Sequence, residues 1–443
     1  MAGTAGKRAR RTLPTVVAAI VATVFAVVVS ACSDGHVNVN AMASAGWSSY
    51  GGNAANSNFA YPSVPDDLEL SWTRPTGGPI TAPLTLSGQS NVGVTSSTEN
   101  GCNLLILDPR NGRKNFCKRM RQGIEVNSLL VDQLDEPYIG EETTFLGFNA
   151  GGAIRWRMPV IGVPLSAKFA APGTVLVATT QGQVLLINAQ TGQLVAPEVR
   201  LRADANPDDA LAGFGECVTN GPRCAIPAPA AVDAERQRLF INFWPQGAIA
   251  SQIKAMDYGE QNGARTVRDA WHADVPGGVI GPPTLSADGE TLYAFSRLGK
   301  IVALDAATGT TRWTYDNGGY GFATMTVSPD GYLIPTGVLG APLTLLRDRG
   351  NKAELVWQRR DLQVVSLSTL TDAKTAWTVV RDPASGALSL VEVGRDNGKT
   401  QRTLALPEAV GFATGVAVSA RGQIATATNI GKVYFFDSKE NIN

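Results

Sequence analysis

Apolar residues in this chain come in short runs that end on turn residues, and the pattern is sharpest over Gly299–Trp313, GKIVALDAATGTTRW. Ile301, Ala303 and Asp305 alternate with Val302 and Leu304, so the run has apolar residues on both faces, as a strand between two other layers does. Asp305 is placed to bond backbone N–H groups one or two residues on. Thr308-Gly309 ends the turn, with Gly309 free to take positive φ, and Trp313 opens a return strand. The pattern predicts a β-hairpin. A hairpin alone is marginal in water, so this one has to stack on others.

The same pattern recurs. GCNLLILDPRNGRKNF starts at Gly101, with Asp108 and Gly112 in the turn and Phe116 in the aromatic place. TTFLGFNAGGAIRW uses Asn149 and ends at Trp156, and GQVLLINAQTGQLV uses Asn188. Ile253–Asp257 followed by Trp271 reads as a longer copy, and LTLLRDRGNKAELVW has Asp348 and Trp357. GALSLVEVGRDNGK carries Glu392 in the Asp place, and GKVYFFD ends at Asp437. With 108, 149, 188, 257, 305, 348, 392 and 437 as markers, the steps are 41, 39, 69, 48, 43, 44 and 45 residues. Periods of about 40–50 residues with several strands each predict a propeller, here of eight blades.

The last repeat stops six residues after Asp437, before any return strand. Residues 68–74 hold Trp72 in the aromatic place, so this N-terminal strand is expected to complete the last blade and remove two open edges. The predicted fold is all-β: an eight-bladed β-propeller of four-stranded antiparallel blades closed by an N-terminal strand. WSSYGGNAANSNFA, residues 47–60, is expected to lie across the first strands of the ring. The long fourth step holds a Pro-rich insertion from Pro197 to about Ala230, where a rigid ring commonly carries function.

The chain begins with an address. Lys7, Arg8, Arg10 and Arg11 precede an apolar run over Val16–Val29, and Val29-Ser30-Ala31-Cys32 matches a bacterial lipobox. The run is short for a spanning helix and fits a signal peptide over 1–31, with acylation (palmitate) of Cys32 after cleavage. The alternative is an uncleaved N-terminal anchor, and the Arg10-Arg11 pair raises twin-arginine export. Residues 32–46 are small, polar and unpatterned, which predicts a flexible tether ahead of a propeller over 47–443. The expected location is the extracytoplasmic face of the cell membrane.

Lys and Arg number 38, as do Asp and Glu. Removing the signal peptide leaves 34 basic against 38 acidic side chains, a charge of −4 that argues against nucleic acid as a partner. The basic set Arg110, Arg113, Lys114, Lys118, Arg119 and Arg121 reads as a solvated hairpin edge rather than a binding patch. The acidic set Asp132, Asp135, Glu136, Glu141 and Glu142 has the same reading, with a cation site as its alternative. With Cys32 acylated, four cysteines remain. Cys102 and Cys117 flank the first hairpin at similar distances from its turn, and Cys217 and Cys224 bracket VTNGPR. Two local disulfides, Cys102–Cys117 and Cys217–Cys224, are the expected pairing for an exported protein, with a four-cysteine zinc site as the rival.

The repeated GxVxALDAxTGxxxW hairpin resembles the pyrroloquinoline quinone (PQQ)-like eight-bladed propellers over about residues 47–443. The resemblance implies that Trp72, Asp108, Trp156, Trp271, Asp305, Gly309, Trp313, Asp348, Trp357 and Asp437 lock blades together and bind no cofactor. It offers two functional branches: quinoprotein dehydrogenases, and lipid-anchored non-enzymatic scaffolds of the BamB type. The dehydrogenases typically carry a vicinal Cys-Cys pair, and no such dipeptide occurs here. Their calcium ligands and Asp base match no local motif, and Trp244 or Trp377 would have to stack on the quinone. His36 and His272 are the two histidines, too few for a multi-His metal site, and a Ser-His-Asp triad is not indicated. A carboxylate-pair hydrolase stays open. The expected function is a monomeric, membrane-anchored binding scaffold of a cell-envelope complex, with a protein partner and no catalytic, cofactor or metal residues. The alternative is a PQQ- and calcium-dependent or otherwise catalytic propeller.

Overall fold

The computed structural model describes residues 1–3 and 40–442, apart from 319, 322–323, 337 and 340–341. The expected signal peptide beyond residue 3, Cys32 and His36 lie outside the described residues. Eight sheets follow one another along the chain, here blades 1 to 8; seven are four-stranded and antiparallel, and the four antiparallel strands of blade 7 are joined by Gln363–Val364 and, in parallel, by Phe59–Ala60. Blade 5 shows the plan: inner strand Val279–Leu285, then Thr291–Ser296, Lys300–Asp305 and outer strand Thr311–Asp316. Its first three strands are almost wholly buried, while only Trp313 is buried on the outer one. The cores lie between blades: Phe295, Ile301 and Trp313 of blade 5 cluster with Val327, Leu333 and Leu346 of blade 6.

Asp305 Oδ1 accepts the N–H groups of Ala307 and Thr308 at 3.0 and 2.9 Å, which closes the hairpin turn as its sequence predicts. Five tryptophans each tie their blade to the next. Nε1 of Trp72, Trp156, Trp271 and Trp357 donates to a carbonyl of the following blade, at Pro109, Ala189, Ala306 and Arg395. Trp313 donates to the Asp348 carboxylate at 2.9 Å instead. Asp437 accepts from Gln423 Nε2 at 2.6 Å. Two markers sit differently from their sequence reading. Asp257 lies within the long strand Gln252–Gln261, whose turn is at Asn262-Gly263, and it pairs with Arg238 at 2.7 Å. Glu392 lies within Leu388–Gly394 and faces Arg402 at 2.5 Å, because an arginine replaces the aromatic there.

The ring closes as expected: Leu68–Pro75 is the outer strand of blade 8, with Trp72 opposite Phe435, Thr73 opposite Tyr434 and Arg74 opposite Val433. In seven outer strands one residue is bulged out just before the aromatic position: Ser71, Asn115, Arg155, Ala270, Arg312, Val356 and Gln401. Each bulge twists the rim and disrupts the row of backbone groups that another chain would pair with.

Residues 47–60 form a washer round one mouth of the central channel. Backbone carbonyls of Trp47, Ser48, Ala54, Ala55, Ser57 and Asn58 accept the N–H groups of Leu86, Val131, Val232, Leu285, Val327 and Leu370, inner-strand positions of blades 1, 2, 4, 5, 6 and 7. Blade 3 contributes Lys168, whose buried Nζ donates to Ser49 Oγ at 3.1 Å and to the carbonyls of Tyr50 and Asn53 at 2.5 and 2.7 Å. Burial pushes this lysine well below its usual value. The small polar composition of the segment has a conformational cause. Gly51, Gly52, Asn56 and Asn58 all take positive φ, and a Cβ on Gly52 would stand 2.9 Å from the Trp47 ring. The segment thus spans most of the ring, not only its first strands.

Residues 40–46, assigned by sequence to the flexible tether, are bound to the ring. Gly173 N–H donates to Ala41 O at 2.7 Å, Ser44 N–H donates to Val131 O at 3.0 Å, and Ala41 and Ser44 are buried. Asp132 is likewise no solvated carboxylate: it is fully buried and accepts the Tyr138 hydroxyl at 2.8 Å. No helix among the described residues is long and apolar enough to cross a membrane.

Candidate functional site: the disulfide-clasped insertion

The 197–230 insertion leaves the short outer strand Val199–Arg200 of blade 3 and returns to the inner strand Ala231–Asp233 of blade 4. It therefore lies on the face opposite the washer. Its first half is pinned to blade 3 through Gln181, which accepts Asn206 N–H and donates to Asp209 O, both at 2.6 Å. Arg202 pairs with Asp204, whose carboxyl its side-chain hydrogen bonds hold below the usual range, and reaches back to Pro222 O at 2.7 Å.

Both expected disulfides are present. Cys102–Cys117 staples the first hairpin. Cys217–Cys224 closes the loop that holds Asn220, with Cα atoms 5.1 Å apart. Asn220 takes a φ of +54° and is 3% exposed. Its Oδ1 accepts Asn242 Nδ2 at 2.9 Å and its carbonyl accepts Trp244 Nε1 at 3.0 Å. Arg297 also donates to that carbonyl, and Asn220 Nδ2 donates to Val279 O. Asn-Gly-Pro was legible as a turn; nothing local in sequence marked Asn242, Trp244 or Arg297 as its seat.

The insertion forms a half-open pocket of about 430 Å³ against blade 3, lined by Gln181, Arg202, Asp209, Leu211, Gly213 and Arg223 among others. Arg223 pairs with Glu216, Nε to Oε1 at 2.5 Å, and its backbone N–H bond to the same carboxyl lowers that group from its usual range. Beside the clasp, Val218, Leu298 and Ile249 are 79%, 62% and 100% exposed. Val218 thus projects from a loop that the disulfide closes and that Asn220 seats on blade 4.

Two tryptophans bear on a quinone. Trp377 is fully buried, with the Arg402 guanidinium 4.9 Å from its ring centroid. Trp244 is bonded to Asn220, with Arg297 5.8 Å from its ring. Neither fits as a stacking surface for a planar cofactor. Among the described residues no three His, Cys, Asp or Glu side chains are grouped to hold a cation. His272 is exposed on its strand.

Protein Rv3035 of Mycobacterium tuberculosis (strain ATCC 25618 / H37Rv) is 32% identical over 410 residues, spanning 91% of this chain and 99% of that protein. The family model described as outer membrane protein assembly factor BamB matches residues 256–441. This chain belongs to the same family as Protein Rv3035. Among solved structures, BamB from Moraxella catarrhalis matches with a TM-score of 0.55 at 16% identity, covering 84% of this chain and 99% of that one. The quinohemoprotein alcohol dehydrogenase ADHIIG of Pseudomonas putida HK5 matches at 0.58 and 13%, covering 89% and 80%. A europium-containing methanol dehydrogenase matches at 0.54 and 13%, covering 88% and 98%. At these identities the likeness is one of fold, shared by an assembly factor and by dehydrogenases alike.

Proposed function

We propose that this chain is an exported, lipid-anchored scaffold that binds a protein partner of a cell-envelope complex through its insertion face and catalyses no reaction. The observation that carries the reading is the pre-ordered insertion. A disulfide, the buried Asn220 and the two bonds of Gln181 hold its loops in place, so little ordering is needed on binding. The BamB family match over 256–441 supports an assembly-type role. The lipobox at Cys32 supports the membrane anchor.

A photo-crosslinking residue placed at Val218 and another at Leu134, both exposed on opposite faces, test the reading in native membranes. A specific adduct from Val218, identified by mass spectrometry and absent from Leu134, is expected. The enzyme alternative is tested by incubating the purified protein with PQQ and calcium. Saturable quinone binding with dye-linked alcohol or sugar oxidation would overturn the scaffold reading.

A further inference from the structure

The washer leaves a depression of about 290 Å³ on its own face of the ring. Its floor is apolar: Ala54, Ala55 and Phe59 of the washer region meet Val232, Leu285 and Val327 from the inner-strand ends of blades 4, 5 and 6. Tyr61 stands on the rim, 66% exposed, and packs edge-on against Phe59 with ring centroids 5.0 Å apart and planes at 85°. A tyrosine already held by a neighbouring ring offers amphipathic contact area at small entropic cost.

The surroundings are acidic. The turns that follow the inner strands of blades 4 to 7 carry Asp233, Glu235, Asp288, Glu290, Asp330 and Asp372 against Arg236 and Lys374. Arg236 is taken by Asp233 at 3.0 Å, and Asp330 is neutralised by Arg395 at 2.8 Å. Glu235, Asp288, Glu290 and Asp372 are exposed and form no direct ion pair among the described residues; Arg312 acts on Asp288 and Glu290, and Arg236 on Glu235 and Glu290, only at longer range. Carboxylates of one sign around a low-dielectric floor reinforce one another's potential and raise the local concentration of cationic groups.

We propose that this depression is a second docking site, which takes an apolar side chain flanked by basic residues of a partner protein. The apolar floor and Tyr61 hold the side chain, and the unpaired carboxylates attract the flanking charges. The site shares no residue with the insertion. A scaffold with docking surfaces on both faces of a rigid ring can hold two proteins at a fixed separation.

The test is titration of the full-length protein in detergent micelles with the blocked pentapeptide Lys-Lys-Leu-Lys-Lys, read by calorimetry. Glu-Glu-Leu-Glu-Glu and Lys-Lys-Gly-Lys-Lys are the controls. Saturable binding of the first peptide is expected, with both controls weaker by about tenfold or more, a difference of about 1.4 kcal/mol. The same loss is expected in Tyr61→Ala and in Glu235→Lys, whose side chains are exposed, and at raised salt, where exposed charges are screened. No binding, equal binding of the basic and acidic peptides, or binding unchanged in both variants overturns the proposal. The Val218 crosslink reports on the opposite face and is expected to survive both variants, so failure here is separable from failure of the insertion as a docking surface.

Discussion

Trp72 and Gly112 meet across the seam where the two ends of the chain join: a Cβ built on Gly112 would stand 2.6 Å from Cε3 of the Trp72 ring. Gly112 also has a φ of +65°. Gly112→Ala is therefore expected to destabilise twice, by about 1–2 kcal/mol for the left-handed backbone and about 1–3 kcal/mol for the clash. Gly101 has a φ of +89° with nothing within 4 Å of a built Cβ, so Gly101→Ala is expected to show the backbone cost alone. Denaturant midpoints of the two variants, compared with the parent, check this; equal shifts would refute the blade lock.

Trp72→Ala removes a buried indole that stacks on Phe435, with centroids 5.1 Å apart, and its bond to Pro109 O at 2.7 Å. A loss of about 3–5 kcal/mol is expected. Amide exchange is expected to quicken in Leu68–Pro75 and in the paired Lys432–Ser438 before it does elsewhere, because those strands close the ring.

Lys168 makes stability depend on pH. Unfolded, the lysine keeps its proton to about pH 10.4; folded, burial makes it release that proton at lower pH. Between the two values the unfolded chain binds more protons, so this group's contribution to stability rises with pH and is least favourable below the folded value. Lys168→Met is expected to lose that slope. Parallel unfolding titrations from neutral pH to pH 10 check it, and an unchanged slope would show that the lysine does not titrate in this window.

The two disulfides differ in loop length. Cys102 and Cys117, 15 positions apart, are expected to contribute about 3 kcal/mol, and Cys217 and Cys224, 7 apart, about 2 kcal/mol. Paired Cys→Ser variants measured by denaturant unfolding check the order. Loss of Cys217–Cys224 is expected to weaken the Val218 crosslink as well, since it frees the loop that seats Asn220.

Cys32→Ala is expected to move the protein from the detergent phase to the aqueous phase, or to block its maturation. Phase partitioning and N-terminal mass analysis check this. An intact Met1 on the membrane-bound protein would exclude acylation at Cys32.

Strand alternation and turn chemistry are local, so the repeated hairpins, the eightfold count and both disulfide pairings could be read along the chain. Ring closure was legible too, because a missing return strand at one end and a spare Trp72 strand at the other complement each other. The washer was only partly legible. Its glycines and asparagines have no period, and its partners, from Leu86 to Leu370, are set by the closed ring. Asp257 and Glu392 read as turn residues because spacing alone cannot tell the end of a strand from its middle; pairing with Arg238 and Arg402 decides that. Burial of Lys168 and Asp132, the seat of Asn220, and the acidic rim around Tyr61 arise where distant segments converge. No local pattern records such contacts, since each residue's environment there is supplied by chain tens to hundreds of positions away.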